Sequence, residues 1–204
     1  MTQIKICGIT RPEDALMCVE EGANMLGFIF ARSPRAVTPQ QACKIIQILP
    51  DTVIPVGVFL NGTTTAVNEI LAMTGLKYAQ LHGNESPDYA TRINAKIIKT
   101  FENFNSASLE RAKRYNPFAY LVDLPKDKIV KPSPGDMPRI EFMQKISELG
   151  KMFISGYLTD ENVADLLRQV KPFGVDVARF TESMPGIKDR KKVRAFIEAV
   201  KKVD

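Results

Sequence analysis

Ile4-Lys5-Ile6-Cys7-Gly8-Ile9-Thr10 is a short apolar strand that ends on a cysteine and breaks into a tight polar turn, and a helical stretch over 12–22 follows it. This unit repeats along the whole chain. Strands are predicted over 3–7, 24–30, 54–60, 77–81, 96–100, 118–123, 151–155 and 173–177. Each reads as a near-continuous apolar run, as parallel strands covered on both faces do. Amphipathic segments at 12–22, 38–49, 63–74, 86–94, 106–115, 138–149, 160–170 and 189–202 alternate with them. Thr38-Pro39 and Ser86-Pro87 place a cap before a first-turn proline, and Thr159-Asp160-Glu161 is expected to open a helix. Gly22, Gly75 and Gly150 stand where helices should stop.

Eight strand–helix units in 204 residues match the minimal size of a closed (β/α)8 barrel. An open flavodoxin-like or Rossmann sheet would use five or six strands and a glycine loop for phosphates. No G-x-G-x-x-G or Walker sequence is present. The expected fold is therefore α/β, a single-domain TIM barrel over residues 1–204.

A barrel of this kind carries its chemistry where the strands end and the βα loops begin. Side chains alternate along a strand, so Cys7 shares the inward side with Lys5, while Ile4 and Ile6 face the helices. In Tyr120-Leu121-Val122-Asp123 the same parity turns Leu121 and Asp123 inward, and Gly174 and Asp176 point inward together. A thiol near its ordinary pKa of about 8.5 supplies some thiolate at neutral pH. A partly buried carboxyl can be held protonated as an acid. A base and an acid at two strand ends make proton-transfer chemistry.

Composition narrows the alternatives. Hydrophobic residues make up 45% and charged residues 25%, and no apolar run approaches a membrane span. The strand at the N-terminus leaves no room for a secretory signal, so the expected location is the cytoplasm. The net charge is +5, but the basic residues are dispersed except over 188–202, where helical spacing reads as a solvated helix face. Nucleic acid is thus not an expected partner, whereas a modest positive field suits a small anion. Cys7, Cys18 and Cys43 lack metal-ligand spacing, and His82 is the single histidine. They read as reduced thiols, Cys18 and Cys43 packing on helix faces, with no metal site expected.

Lys5-Ile6-Cys7-Gly8-Ile9-Thr10 with Asp14-Ala15 resembles the opening of the phosphoribosylanthranilate isomerase family of tryptophan biosynthesis. The resemblance continues through Gly27-Phe28-Ile29-Phe30, Ser33-Pro34-Arg35, Val56-Gly57-Val58-Phe59 and Gln80-Leu81-His82-Gly83. It ends in Gly174-Val175-Asp176-Val177 and Pro185-Gly186, in a register that spans the chain. It implies a barrel and a cofactor-free Amadori rearrangement of an anionic phosphosugar linked to an aromatic acid. By motif, Cys7 is the base at the sugar C2′ and Asp123 the acid at the ring oxygen. The resemblance assigns Arg35 to the anthranilate carboxylate, and His82, Ser155, Gly156 and Asp176 are read as further substrate contacts, with Arg179 an added charge that compensates at the altered phosphate mouth. Monomers and homodimers both occur in such families.

The departures lie in the substrate loops. Ser155-Gly156-Tyr157-Leu158 stands for the family's Ser-Gly-Gly-Leu, and Ala178-Arg179-Phe180 replaces small residues after strand 8. Both put an aromatic ring where glycine or a small side chain lets backbone N–H groups approach a phosphate. The loop after strand 6 is rebuilt, with Lys126, Lys128 and Lys131 as candidate cations. Three readings stay open: the isomerase itself, a related barrel enzyme with another substrate, or a non-catalytic binding barrel with Tyr157 and Phe180 in a new pocket.

Overall fold

Strands that are apolar on both faces must be covered on both, and here they close into a parallel barrel in the order β1 to β8. The computed structural model describes residues 1–124 and 137–203. The strands are β1 (Gln3–Cys7), β2 (Met25–Ile29), β3 (Ile54–Phe59), β4 (Tyr78–Leu81), β5 (Lys96–Phe101), β6 (Ala119–Asp123), β7 (Met152–Ser155) and β8 (Gly174–Val177). The helices around them are α1 (Pro12–Glu21), α2 (Pro39–Ile46), α3 (Thr64–Thr74), α4 (Pro87–Thr91), α5 (Ser106–Ala112), α6 (Arg139–Leu149), α7 (Val163–Val170) and α8 (Arg190–Lys201).

The alternation along each strand sorts the side chains into two layers. Ile4, Ile6, Leu26 and Phe28 pack outward beneath the helices. Met25, Val56, Ile98, Ala119, Leu121 and Phe153 fill the interior. Below them Tyr78, Phe118 and Phe173 meet edge to face, and Lys151 sits 4.6 Å over the Phe118 ring. This aromatic plug fills the amino end of the barrel interior.

Several boundaries differ from the sequence expectation. α2, α4 and α5 each stop three residues early because the chain tightens into i→i+3 turns, such as Leu49 N–H to Ile46 and Tyr115 N–H to Ala112. α7 starts at Val163 rather than at 160. The Asn162 side chain accepts from Thr159 N–H and donates to the Tyr157 carbonyl, which holds 159–162 as a turn. After β8 a short 3₁₀ turn (Arg179–Thr181) leads into an antiparallel pair, β9 (Glu182–Met184) with β10 (Ile187–Lys188), too short to leave a periodic signal.

Lys188 corrects the reading of the basic cluster. It is not on the solvated helix face; only 5% exposed, it belongs to β10. The helix α8 behind it does face solvent, and Arg190 and Arg194 pair there with Glu20 and Glu21 of α1. Lys126, Lys128 and Lys131 lie outside the described residues. No helix among the described residues is long and apolar enough to cross a membrane.

Candidate active site

Two adjoining cavities open at the carboxyl ends of the strands, and the eight residues singled out from the sequence all line one or both. The smaller, about 260 Å³, is walled by Cys7, His82, Asp123, Ser155 and Asp176 among others. The larger, about 440 Å³, is lined by Arg35, Asp123, Ser155, Gly156, Asp176 and Arg179, together with Tyr157 and Phe180. Asp123, Ser155, Asp176 and Ala178 line both and form the wall between the two.

Cys7 ends β1 in register with Gly27 of β2. A Cβ on Gly27 would stand 2.6 Å from the Cys7 sulfur, so the missing side chain is what gives the thiol its place. Lys5, two residues earlier, is fully buried, and its Nζ lies 2.9 Å from each carboxylate oxygen of Asp176 on β8. Burial pushes the Cys7 thiol pKa up, with Lys5 and Lys188 pulling it back and Asp176 adding to the rise. The thiol is therefore less ready to ionise than a free cysteine, contrary to the near-ordinary value expected from its type. Burial also works against the Lys5 ammonium, but Asp176 and the sulfur outweigh it and leave its pKa raised.

Asp123 ends β6, and its Oδ2 lies 3.3 Å from Nε2 of His82, which follows β4. The same nitrogen is 3.1 Å from Oε1 of Glu102, beyond the end of β5. Burial disfavours the imidazolium, yet the bonds to Asp123 and then Glu102 dominate and raise its pKa to about 9. On the other side of the ring Nδ1 is 3.0 Å from Nε2 of Gln80, whose Oε1 is buried with no partner among the described residues. A protonated ring needs an acceptor at Nδ1, and turning the Gln80 amide over would present that oxygen. His82, Glu102 and Asp123 come within 4.8 Å of one another, a spacing that a small cation could also bridge.

Arg35 leaves β2 in the turn after Ser33-Pro34 and reaches Glu182 of β9 as a fork, Nε to Oε1 at 2.8 Å and Nη2 to Oε2 at 2.6 Å. Its remaining nitrogen, Nη1, makes no bond among the described residues, and Arg35 lines the larger cavity. Glu182 also takes Lys188 Nζ at 3.1 Å, and Lys188 donates to the carbonyls of Cys7 (2.7 Å) and Ala178 (3.0 Å). Burial lowers the Lys188 pKa against the pull of Glu182. Burial raises and its two cationic partners more than reverse the Glu182 value, leaving it lowered. This chain of charges, invisible in the sequence, ties the β2 loop, the β9–β10 hairpin and the end of β1 together.

The turn after β7 settles what the aromatic replacements do. Gly156 has φ of 78° and Tyr157 of 53°, so the left-handed backbone survives a bulky side chain. The aromatic ring at Tyr157 thus does not block the positive φ that this turn uses. Its ring turns aside and meets Phe180 edge on, centroids 5.1 Å apart. The larger cavity stays open beside the pair, with the Arg179 charge on its rim.

A second pair also escaped the sequence reading. Lys99 on the outer face of β5 donates to the carbonyls of Leu81 and Gly83 and to Glu85 at 2.7–2.9 Å. Both side chains are almost completely buried. They pin the loop that carries His82.

The family profile described as N-(5'phosphoribosyl)anthranilate (PRA) isomerase matches residues 4–199. An N-(5'-phosphoribosyl)anthranilate isomerase from Syntrophus aciditrophicus (strain SB) is 42% identical over 204 residues, covering 99% of this chain and 88% of the relative. One from Geotalea uraniireducens (strain Rf4) is 39% identical over 98% of this chain and 99% of its own length. Among solved structures, phosphoribosyl anthranilate isomerase from Thermotoga maritima superposes with a TM-score of 0.87 at 33% identity, covering 99% of this chain and 100% of that one. A phosphoribosyl anthranilate isomerase crystallised with reduced 1-(o-carboxyphenylamino)-1-deoxyribulose 5-phosphate gives 0.85 at 33% identity, with 99% and 100% coverage.

Proposed function

The chain belongs to the N-(5'-phosphoribosyl)anthranilate isomerase family, and from that premise we propose that Cys7 and Asp123 are the base and acid of its Amadori rearrangement. Family membership over the full length selects the isomerase among the three readings left open by the sequence. The observation that carries the assignment of roles is that Cys7 and Asp123, far apart in the chain, line one cavity.

In this reading the ribose ring opens as Asp123 gives a proton to the ring oxygen, and Cys7 removes the proton from C2′. The product is the 1-deoxyribulose phosphate, and no cofactor is required. The imidazolium of His82, held by its raised pKa, favours the Asp123 carboxylate and is the source of the proton that Asp123 passes to the ring oxygen. With its fork on Glu182, Arg35 keeps Nη1 for the anthranilate carboxylate. The substrate phosphate goes to the larger cavity, where Ser155, Gly156 and Arg179 meet it, a charge-assisted bond from Arg179 supplementing the backbone N–H groups. In this reading Asp176, which lines both cavities, stands between the phosphate and the reacting carbons.

The three cysteines are free, in accord with a reducing compartment, and we assign the enzyme to the cytoplasm. One solved relative is named as a dimeric Thermotoga enzyme in monomeric form. For this chain we infer a monomer or a homodimer, which light scattering separates.

Turnover of the fluorescent anthranilate ribotide tests the reading. The wild-type chain converts it, and Cys7→Ala and Asp123→Asn each lose about 10²–10⁴-fold in kcat while keeping the folded circular-dichroism spectrum. A wild-type chain silent at saturating substrate, or a fully active Cys7→Ala variant, defeats it.

A further inference from the structure

We propose that Lys5 is a positioning residue for the base: clamped by Asp176, its ammonium is the counter-charge that allows the buried Cys7 sulfur to exist as a thiolate. This rests on reading Cys7 as the base, and it concerns a residue that the proton-transfer pair itself does not use.

The geometry starts with strand alternation. Lys5 and Cys7 lie two residues apart on the inner face of β1, and Lys5 is in register with Asp176 on β8. A Cβ on Gly27 would stand 3.0 Å from Lys5 Nζ and 2.6 Å from Cys7 Sγ, so both atoms border one small space that β2 leaves free. An ammonium has three donors. Asp176 accepts two of them, and the sulfur borders the same small space opposite Gly27.

A purely structural purpose accounts poorly for this arrangement. Burying a lysine–carboxylate pair costs desolvation that its attraction often fails to repay, and an apolar side chain of similar volume would fill the space as well. Placed directly beneath the reacting sulfur, the pair does something that no apolar filler does. A thiolate formed there would be a largely buried anion, and Lys5 is the cation against it. Asp176 holds that cation in place and limits how far it favours the thiolate.

The other charges around Cys7 are accounted for. From beyond β8, Lys188 is fixed on the Cys7 carbonyl and Glu182. Arg35, from the loop after β2, is forked onto Glu182. Asp123 and His82 face the sulfur across the cavity, Arg32 from the loop after β2 lines that same cavity, and β2 itself opposes the sulfur with Gly27, which carries no charge. In the step itself, the thiol proton goes to solvent, the thiolate takes the C2′ proton, and Lys5 stays an ammonium throughout.

The test is iodoacetamide alkylation of Cys7 against pH, read by mass spectrometry on the peptide that carries it. Lys5→Met is expected to move the midpoint up, and Asp176→Asn to move it down. The thiolate fraction changes about tenfold per pKa unit. Nucleophilicity falls as pKa falls, so the rate at neutral pH changes about threefold per unit. Opposite signs are what a structural ion pair would not produce. An unmoved midpoint in Lys5→Met, or shifts of the same sign in both variants, overturns the proposal. If Lys5→Met does not fold, Asp176→Asn decides alone: a lower midpoint supports the proposal, and an unchanged or higher one sinks it. Alkylation reads the sulfur whether or not Cys7 is the base. Turnover of Cys7→Ala therefore fails separately from this experiment.

Discussion

His82 Nε2 lies 3.3 Å from Asp123 Oδ2, and this contact joins the loop after β4 to the end of β6 at the mouth of the barrel. Its consequence is measurable in stability. The folded pKa is raised from 6.5 to about 9, so the imidazolium contributes fully below pH 6.5 and its contribution is lost as pH climbs through 9. The wild type should exceed His82→Asn in unfolding free energy at pH 6.5, with the gap shrinking towards pH 9. With a side chain 27% exposed, the change is on the order of 1–2 kcal/mol after solvent screening. Urea titrations of both proteins across that range check it, and a gap independent of pH counts against the pairing.

Arg35 separates binding from chemistry. Arg35→Lys keeps the charge and loses the fork that grips Glu182 and faces the larger cavity. The KM for the ribotide should rise about tenfold, roughly 1.4 kcal/mol, while kcat stays within about threefold. Steady-state kinetics decide, and a KM unchanged from wild type removes Arg35 from the substrate.

Gly156 is required twice over. Its φ of 78° disfavours a side chain, and a Cβ there would run into the Asp123 carboxylate and the Leu124 backbone. Gly156→Ala should lose about 1–3 kcal/mol of stability and displace the acid, lowering kcat at least tenfold. Thermal unfolding and turnover are measured together. Full activity in this variant would mean that the acid tolerates displacement or is not Asp123.

The buried Lys99–Glu85 pair gives the sharpest stability prediction. Removing the charge of Glu85 in Glu85→Gln leaves the Lys99 ammonium among two carbonyls without a counter-ion. Breaking such a pair on one side costs about 3–5 kcal/mol. A urea midpoint equal to the wild type would contradict the burial described for Lys99.

How much could be read from the chain depended on how local the cause was. Apolar runs and caps are properties of neighbouring residues, so the eight strands were placed to within about a residue, and Thr38 and Ser86 cap α2 and α4 as expected. Helix ends were less legible, because the switch to i→i+3 turns at Leu49 or Tyr115 follows from where the next strand must enter. Tyr157 shows the converse. Its type argues against a positive φ, but the contact with Phe180 and the turn bonds of Asn162 hold it there.

By itself the sequence determined the barrel, the inward parity of Lys5, Cys7, Asp123 and Asp176, and the end of the barrel where chemistry could take place. Those follow from a two-residue period repeated eight times, which needs no knowledge of what lies opposite. Only the tertiary structure decided which charges meet: Lys5 with Asp176, Arg35 with Glu182, Lys188 with the Cys7 carbonyl, and His82 with Asp123. Pairing across strands is set by register and closure, and the partners of Lys5 and Lys188 stand 171 and 181 residues away along the chain. No local pattern carries that information, because the attraction between two charges depends on their separation in space and on the water excluded around them.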